Sequence, residues 1–436
     1  MREEISVKDI TLREEYTYIR HESGLTIYVF PKQLSTAYVS LTVHFGSLDS
    51  DHILPNGREV HLPDGVAHFL EHKMFESEDH IDTFDKFAAV GASANAYTSN
   101  ELTSYLFSTT SDISAGLSIL LDYVFHPYFT PENIQKEQGI IGQEIGMYED
   151  SPGNRLYYAA MEALYQKHGI RKNICGTTDT IAAITPEMLY ECCRSFYVPD
   201  NMTLVVCGKT NAETVLSIVD SRLSPRAPAP RPRRIYPTEP EAIFKPEISF
   251  RMDIARPMLC LAVKDTRLPE EPEAAMRRSL TMNLLCDLLF GESSEFYNRL
   301  YKEGVISQDF SASYESARGC AHFLISCSAD DPERVFHLLT EELRLYRSGE
   351  RIPSFEDFER MRRVHYAEYI KDFDSTEEIA AALLDSVVEQ VPIFRMREIL
   401  DEISYADICR ELNTVFEEKS MAKITITPIN ETIKTK

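Results

Sequence analysis

Two histidines and a glutamate lie close together in the segment His68-Phe69-Leu70-Glu71-His72. Histidines four positions apart on a helix project from one face, with about 5 to 6 Å between their Cβ atoms, which suits two imidazole ligands of one zinc ion. Glu71 lies beside them, where a carboxylate can take a proton from a zinc-bound water and later pass it to a leaving amine. The segment predicts a metal site with its own general base.

The residues around this motif favour a helix with two different sides. One side gathers four apolar residues, namely Val66, Phe69, Leu70 and Met74. The other side gathers His68, Glu71, His72 and Phe75, so apolar packing does not explain the histidines. A solvated face that carries the pattern by chance is the alternative, and a random match is expected in roughly one of a hundred chains of this length. Asp64 is the expected N-cap of the helix.

Two histidines leave a zinc site incomplete, and a second helix offers carboxylates that could complete it. This helix is predicted from Pro131 to about Tyr148, because Thr130 provides a capping residue and Pro131 a first-turn proline. Glu137 and Glu144 are seven positions apart and face the same way. Glu149 is a competing ligand on a different face.

Alternating strand patterns and helical patterns follow one another along both halves of the chain. Strands are predicted at 26–30, 37–45 and 202–207, with a hairpin at 92–98 and 103–108. Helices are predicted from Asp82 as N-cap to Val90, and then at 113–124, 154–167 and 186–197. In the second half the predicted strands are 259–263 and 422–427, and the predicted helices are 274–290, 332–347 and 354–369.

A proline-rich stretch separates the two halves and predicts two domains. We expect an N-terminal domain at 1–221, a linker at 222–246 and a C-terminal domain at 247–436 without a metal motif. The halves repeat a similar order of strands and helices, which indicates duplication of one α/β unit. The linker contains the main basic cluster, and its Pro and Ala content favours an extended segment over a binding face. This cluster consists of Arg226, Arg231, Arg233 and Arg234.

Composition excludes several classes of function for the 436-residue chain. Its formal net charge of −24 disfavours binding to nucleic acid or to an anionic membrane. The nine cysteines lack zinc-finger spacing and lie in apolar contexts, which predicts buried, reduced thiols. Met1 is followed by Arg2, Glu3 and Glu4 rather than by an apolar leader, so we expect a cytoplasmic enzyme.

The combined motifs resemble those of the inverzincin zinc metallopeptidases, the group that contains pitrilysin, insulin-degrading enzyme and mitochondrial processing peptidase. That group carries H-x-x-E-H followed by E-x6-E, which Glu137 and Glu144 match. The resemblance implies Glu144 as third zinc ligand, Glu137 as supporting catalytic carboxylate and Glu71 as general base. It also implies an α+β fold of two homologous domains, each an antiparallel-rich sheet with helices packed on one face, joined by the proline-rich linker.

Two further segments extend the resemblance. The stretch Gly91-Ala92-Ser93-Ala94-Asn95-Ala96-Tyr97-Thr98-Ser99 is similar to the edge strand of the family, which pairs with substrate backbone. The resemblance therefore implies that Asn95 and Ala96 contact the substrate. The stretch 197–206 is similar to a strand entry near the end of the family's first domain, which concerns the fold rather than the mechanism.

The second half departs from the family where a substrate clamp is expected. Active members carry an Arg and a Tyr seven apart, and the comparable positions here are Leu300 and Ser307. We therefore expect a dimer, with a related chain supplying Arg and Tyr, unless Arg299, Tyr301 or Tyr314 replaces them. The expected function is a zinc endopeptidase acting on peptides or unfolded segments. The alternatives are a non-catalytic structural subunit, a zinc hydrolase of non-peptide amides and a processing enzyme for one dedicated peptide.

Overall fold

The computed structural model of the protein describes residues 2–429, which form two compact units. The first unit extends to Gly146 and also includes Lys172–Tyr236 and Ile370–Val388. The second comprises Met147–Arg171, Pro237–Tyr369 and the described residues from Glu389 onward. The linear division at 221/222 and 246/247 stays a prediction, and the compact units differ from it because each contains a segment from the other half of the chain.

Groups of strands and groups of helices follow one another along the described residues. The strands are β1 (Glu3–Asp9), β2 (Glu14–Arg20), β3 (Thr26–Pro31), β4 (Ala37–Val43), β5 (Asp51–Ile53), β6 (Glu59–His61), β7 (Ala92–Thr98), β8 (Thr103–Thr109), β9 (Met202–Gly208), β10 (Arg233–Arg234), β11 (Glu247–Met252), β12 (Met258–Lys264), β13 (Ser311–Ala317), β14 (Cys320–Ser328) and β15 (Met421–Pro428). The α-helices are α1 (Val66–Lys73), α2 (Thr83–Ala89), α3 (Ile113–Phe125), α4 (Pro131–Asp150), α5 (Pro152–Leu164), α6 (Thr178–Ala182), α7 (Pro186–Phe196), α8 (Ala212–Arg222), α9 (Pro272–Phe290), α10 (Glu295–Lys302), α11 (Pro332–Ser348), α12 (Phe355–Asp372), α13 (Thr376–Val388), α14 (Arg395–Glu402) and α15 (Tyr405–Leu412). Short 3₁₀ helices occupy Ser47–Asp49, Gly169–Arg171, Pro199–Asn201 and Glu418–Ser420.

The first unit is built on a seven-stranded sheet with the strand order β1-β2-β3-β9-β4-β8-β7. Only the pairing of β3 with β9 is parallel among the described strands of this sheet. Alternate residues of β4, namely Val39, Leu41 and Val43, are fully buried in the core that also receives α1, α3 and α4. The sheet therefore fixes α1 next to β7, which is an edge strand among the described residues.

The basic stretch that was predicted as an extended linker lies against the first unit. Arg233–Arg234 forms β10, which pairs with β5 in a small sheet that also contains β6. The guanidinium of Arg231 donates to the backbone oxygen of Asp200, and that of Arg234 donates to the backbone oxygen of His44. These arginines therefore hold the segment in place.

The second unit repeats the antiparallel-rich design with a five-stranded sheet ordered β11-β15-β12-β14-β13. In this sheet β11 and β15 are parallel and the other described pairings are antiparallel. Helix α5 packs against β12 and β15. Within the described residues, no helix combines the length and the apolar character that crossing a bilayer requires.

Local signals in the sequence are confirmed at the start of α2 and in the hairpin, and one is wrong. The Asp82 side chain accepts from the backbone N–H of Phe84, as expected of an N-cap. Asp64 does not cap α1 but forms an ion pair with Lys172 at 2.9 Å. Gly65 is the N-cap instead, with a φ of 94°. A Cβ at Gly65 would lie 2.5 Å from the backbone oxygen of Cys175, so close approach and the left-handed backbone both require glycine there.

Candidate metal centre

Helices α1 and α4 bring two imidazoles and a carboxylate to one point of the first unit. The Nε2 atom of His68 lies 3.5 Å from Oε1 of Glu144, and Nε2 of His72 lies 3.6 Å from Oε2. One candidate ligand atom from each of these residues lies within 4.8 Å of the others. The three residues could therefore hold one metal ion, and the exposed Glu149 lies outside the group.

Glu137 holds the imidazole of His72 from behind. Its Oε1 lies 3.1 Å from Nδ1 of His72, so a hydrogen on Nδ1 leaves the lone pair of Nε2 directed toward Glu144. Burial opposes the charge on His72, but the hydrogen bond to Glu137 and the nearby glutamates outweigh it and raise the pKa of His72. Burial likewise opposes the charge on Glu137, and the bond from His72 together with Lys73 lowers its pKa below the ordinary value.

Glu71 is almost buried at 8% exposure, and a hydroxyl holds its side chain. Thr98, the last residue of β7, donates from Oγ1 to Oε2 of Glu71 at 2.7 Å. Tyr105, Tyr123 and Tyr197 lie near enough for the charge of Glu71 to act on them, and burial is the main cause that raises the pKa of each well above its ordinary value. Those phenols therefore stay protonated and carry no charge beside Glu71.

The edge strand β7 presents the residues that were predicted to contact substrate. Asn95 is exposed and pairs with Leu106 of β8, whereas Ala96 pairs with Tyr105. The backbone N–H of Ala96 donates to Oδ1 of Asn95 at 2.9 Å, an acceptor outside the β7–β8 ladder. The Asn95 side chain therefore occupies the N–H of Ala96, and another hydrogen-bond acceptor could displace it.

Two residues at the site were missed by sequence reasoning. Lys73 is fully buried, and its position three or four residues after Leu70 and Phe69 places it among the apolar residues of α1. A lysine on the apolar side of a predicted helix was the signal in the sequence that could have indicated a buried ion pair. Cys175 lies with Sγ 3.9 Å from Nε2 of His68, and burial raises the pKa of its thiol to about 12. No spacing in the sequence connects it with the motif.

Comparison with known proteins identifies the family. A model described as "Insulinase (Peptidase family M16)" matches residues 29–178, and one described as "Peptidase M16 inactive domain" matches 183–364. The uncharacterised zinc protease YmfH of Bacillus subtilis is 35% identical over 420 residues, which cover 95% of this chain and 96% of YmfH. The chain belongs to the M16 peptidase family.

Solved structures of M16 proteins share the two-domain α+β fold of this chain. An M16-like peptidase from Alicyclobacillus acidocaldarius is 30% identical with a TM-score of 0.90, covering 97% of this chain and 100% of that chain. The periplasmic protease PqqL from Escherichia coli has the same fold at 17% identity and a TM-score of 0.73. This M16 chain covers 48% of that PqqL chain.

In the second unit of this M16 chain, the residues considered for a substrate clamp are engaged in local contacts. Leu300 is buried in α10, and Arg299 pairs with Glu342 at 3.0 Å. The hydroxyl of Tyr314 donates to Oδ2 of Asp265 at 2.9 Å. Tyr301 is exposed, and its ring stacks on Tyr297. Ser307 donates to Asp309 at 2.6 Å. These contacts occupy Arg299 and Tyr314 within their own unit.

Proposed function

We propose that the chain is a zinc endopeptidase that hydrolyses peptides or unfolded segments. The observation that carries this proposal is the convergence of His68, His72 and Glu144 beside the nearly buried Glu71. Two histidines and one glutamate are a donor set that catalytic zinc uses, and they leave a coordination position for reactants. The matched "inactive domain" model covers 183–364, outside these four residues, so its name does not count against activity.

The residues of the chain divide the work of hydrolysis among them. A zinc ion held by His68, His72 and Glu144 would supply Lewis-acid polarisation of the scissile carbonyl and of the attacking water. Glu71 takes the proton of that water and delivers it to the leaving amine, while Thr98 keeps the carboxylate in one orientation. Glu137 holds the ring of His72 so that Nε2 remains available.

The substrate is proposed to add as a strand to the outer edge of β7. Backbone pairing of this kind recognises extended peptide regardless of its side chains. The N–H of Ala96 would exchange the side chain of Asn95 for a substrate carbonyl. Because β7 ends at Thr98, which contacts Glu71, the paired substrate would run beside the base.

A partner chain is proposed to complete the substrate site. Leu300 and Ser307 lack the clamp functions, and the contacts of Arg299 and Tyr314 keep these side chains in local roles. The match to about half of the longer PqqL chain supports a paired arrangement.

We further propose a cytoplasmic location, since all nine cysteines are free thiols and such thiols are typical of reducing compartments.

Three single variants test the metal site and the base separately. Glu71→Gln should retain zinc and lose peptide cleavage, because the amide cannot accept the proton. His72→Ala should lose both bound zinc and cleavage, because a ligand is removed. Glu149→Gln, an exposed change on α4, is the matched control and should alter neither. Zinc is measured by elemental analysis and cleavage with a peptide library, in the presence of the related chain that carries Arg and Tyr. A Glu71→Gln chain that cleaves at the wild-type rate would sink this mechanism.

A further inference from the structure

A lysine is fully enclosed in the helix that carries both histidines. Lys73 follows His72 directly and has an exposure of 0%. Its position in α1 places its stem among the apolar residues Phe69 and Leu70 rather than on the polar side. An ammonium group buried this deeply is costly unless it is paired and hydrogen-bonded.

Two carboxylates compensate the buried charge. The Nζ atom lies 2.9 Å from Oε1 of Glu76 and 3.2 Å from Oε2 of Glu137. A leucine or methionine would fill the same apolar space without a desolvation cost. Packing alone therefore does not account for a lysine at this position. The bond to Glu137 gives its charged group a specific partner.

The bond to Glu137 lies directly behind the candidate metal ligand. Glu137 uses its two oxygens differently, since Oε2 accepts from Lys73 and Oε1 meets Nδ1 of His72 at 3.1 Å. Fixing one oxygen fixes the plane of the carboxylate and so the direction in which the other oxygen points. Lys73, Glu137 and His72 consequently form a chain of contacts that ends at a ring nitrogen facing Glu144.

We propose that Lys73 is a positioning residue for metal retention, acting through Glu137 to hold His72 with its Nε2 atom directed at the ion. This inference rests on the proposed function, because it requires a metal ion at His68, His72 and Glu144. The H-x-x-E-H motif ends at His72 and does not specify the residue at position 73. The proposed role of Lys73 follows from its buried ion pairs with Glu76 and Glu137.

The chain offers a closely matched control for Lys73. Lys136 also approaches Oε1 of Glu76, at 3.8 Å, but its side chain is 70% exposed. It has the same charge and the same neighbouring carboxylate, but in the described part of the chain it forms no bond to Glu137 or His72. A loss of zinc affinity that follows from charge alone would appear at both lysines, whereas a positioning effect would appear only at Lys73.

The experiment measures zinc affinity of the full chain, without reference to catalysis. Apoprotein is prepared with a chelator, and the dissociation constant for Zn²⁺ is measured by competition with a chromophoric chelator. Lys73→Met is expected to raise this constant about tenfold, in line with the effect of residues behind metal ligands. Lys136→Met should leave it within about twofold of wild type. The visible absorption of Co²⁺ bound in place of zinc should shift in Lys73→Met and stay unchanged in Lys136→Met.

A double variant distinguishes positioning from a general structural effect. If Lys73 acts through Glu137, then Lys73→Met should cost little further zinc affinity in a Glu137→Gln background. A loss of equal size in both backgrounds would overturn the proposal, as would wild-type affinity in Lys73→Met. If circular dichroism shows that Lys73→Met does not fold, Lys73→Gln replaces it with the same expectations. Wild-type protein that binds no more zinc than His72→Ala would overturn the proposed function as well, whereas an unaffected Lys73 variant overturns only this inference.

Discussion

At the scale of single residues, the orientation of Glu71 depends on one hydroxyl. The Oγ1 atom of Thr98 lies 2.7 Å from Oε2 of Glu71 and 3.4 Å from Oγ1 of Thr103. Thr103 donates its own proton to the backbone oxygen of Phe45 at 2.9 Å. Thr98 donates to Glu71, because that contact is much shorter than the one to Thr103. The proposed base is thus held by the same strand that is proposed to pair with substrate.

Replacing Thr98 tests this hydrogen bond with little change in volume. Thr98→Val should lower kcat about tenfold, because a hydrogen bond to a charged group contributes about 1.5 kcal/mol or more and Val cannot donate. KM and bound zinc should stay near wild type. Thr98→Ser, which keeps the donor, should recover most of the loss. Equal kcat in the Val and Ser variants would show that the hydroxyl does not hold the base.

The candidate metal ligands and Glu137 could be proposed from the sequence, whereas the contacts that support them from further along the chain could not. His68, Glu71 and His72 share one helical turn, so their common side follows from spacing alone, and Glu144 follows from the family resemblance. The burial of Lys73 was not predicted, because it depends on ion pairs with Glu76 and Glu137 and only Glu76 is near Lys73 in sequence. The N-cap at Asp64 was wrong because Lys172 takes its carboxylate.

At the scale of elements, β7 is expected to work through its backbone. Ala96→Pro removes an N–H that donates outside the β7–β8 ladder, so an edge strand can tolerate the change. We expect kcat/KM for peptides to fall about tenfold, since a backbone hydrogen bond to substrate is lost and the ring obstructs pairing. The measurement is steady-state cleavage, with bound zinc as the check on folding.

The neighbouring residue provides the control for this strand. Asn95→Ala removes the side chain that satisfies the N–H of Ala96 and leaves that N–H free for substrate. Its KM should therefore be no higher than that of the wild type. Normal cleavage by Ala96→Pro would exclude pairing at this position of β7.

A second element-scale prediction concerns the end of α5 in the second unit. Glu239 accepts the backbone N–H groups of Gln166, Lys167 and His168 and pairs with the buried Lys264 at 2.7 Å. Burial alone would raise the pKa of Glu239, but Lys264 and the three N–H donors outweigh it and lower the pKa. Glu239→Gln should therefore lower the free energy of unfolding at pH 7 by roughly 3 kcal/mol, because it leaves Lys264 buried without its charged partner.

The sign of the pKa shift sets the pH at which this effect disappears. A lowered folded-state pKa gives stability that is fully present above the ordinary carboxyl value of about 4.3 and is lost as the pH falls through the folded value. Thermal unfolding of wild type and Glu239→Gln should thus differ at pH 7 and converge in acid. Curves that stay equally far apart below that range would mean that ionisation of Glu239 is not the cause.

The predicted elements agree with the structure where local patterns determine them. The hairpin β7–β8, the helix α4 and the strand β15 all lie where alternation, turn residues and caps placed them. Membership of a compact unit was harder to predict, because it depends on contacts between distant segments. Helix α13 was not predicted and contacts β9 and β4 of the first unit, although it lies late in the chain.

At the scale of the whole molecule, the proposed metal ligands alone do not make a complete peptidase. His68, Glu71, His72 and Glu144 all belong to the first unit. Positions 300 and 307, where the family resemblance implies an Arg and a Tyr, hold Leu and Ser. The chain should therefore bind zinc alone and cleave peptides slowly. Adding a related chain that carries the Arg and Tyr should raise kcat/KM at least about a hundredfold, because binding energy for positioning then becomes available.

Substitutions in each chain test which one supplies the chemistry of the pair. Glu71→Gln in this chain should abolish cleavage by the mixture, and loss of the Arg or Tyr in the partner should do the same with bound zinc unchanged. Size-exclusion chromatography should show the pair at twice the mass of one chain. Full activity of the isolated monomer would contradict a shared site and would return Arg299 and Tyr301 to consideration. In that case Arg299 would have to leave Glu342 in order to bind substrate, and Arg299→Ala should lower kcat/KM. A purely local role of Arg299 does not predict that loss.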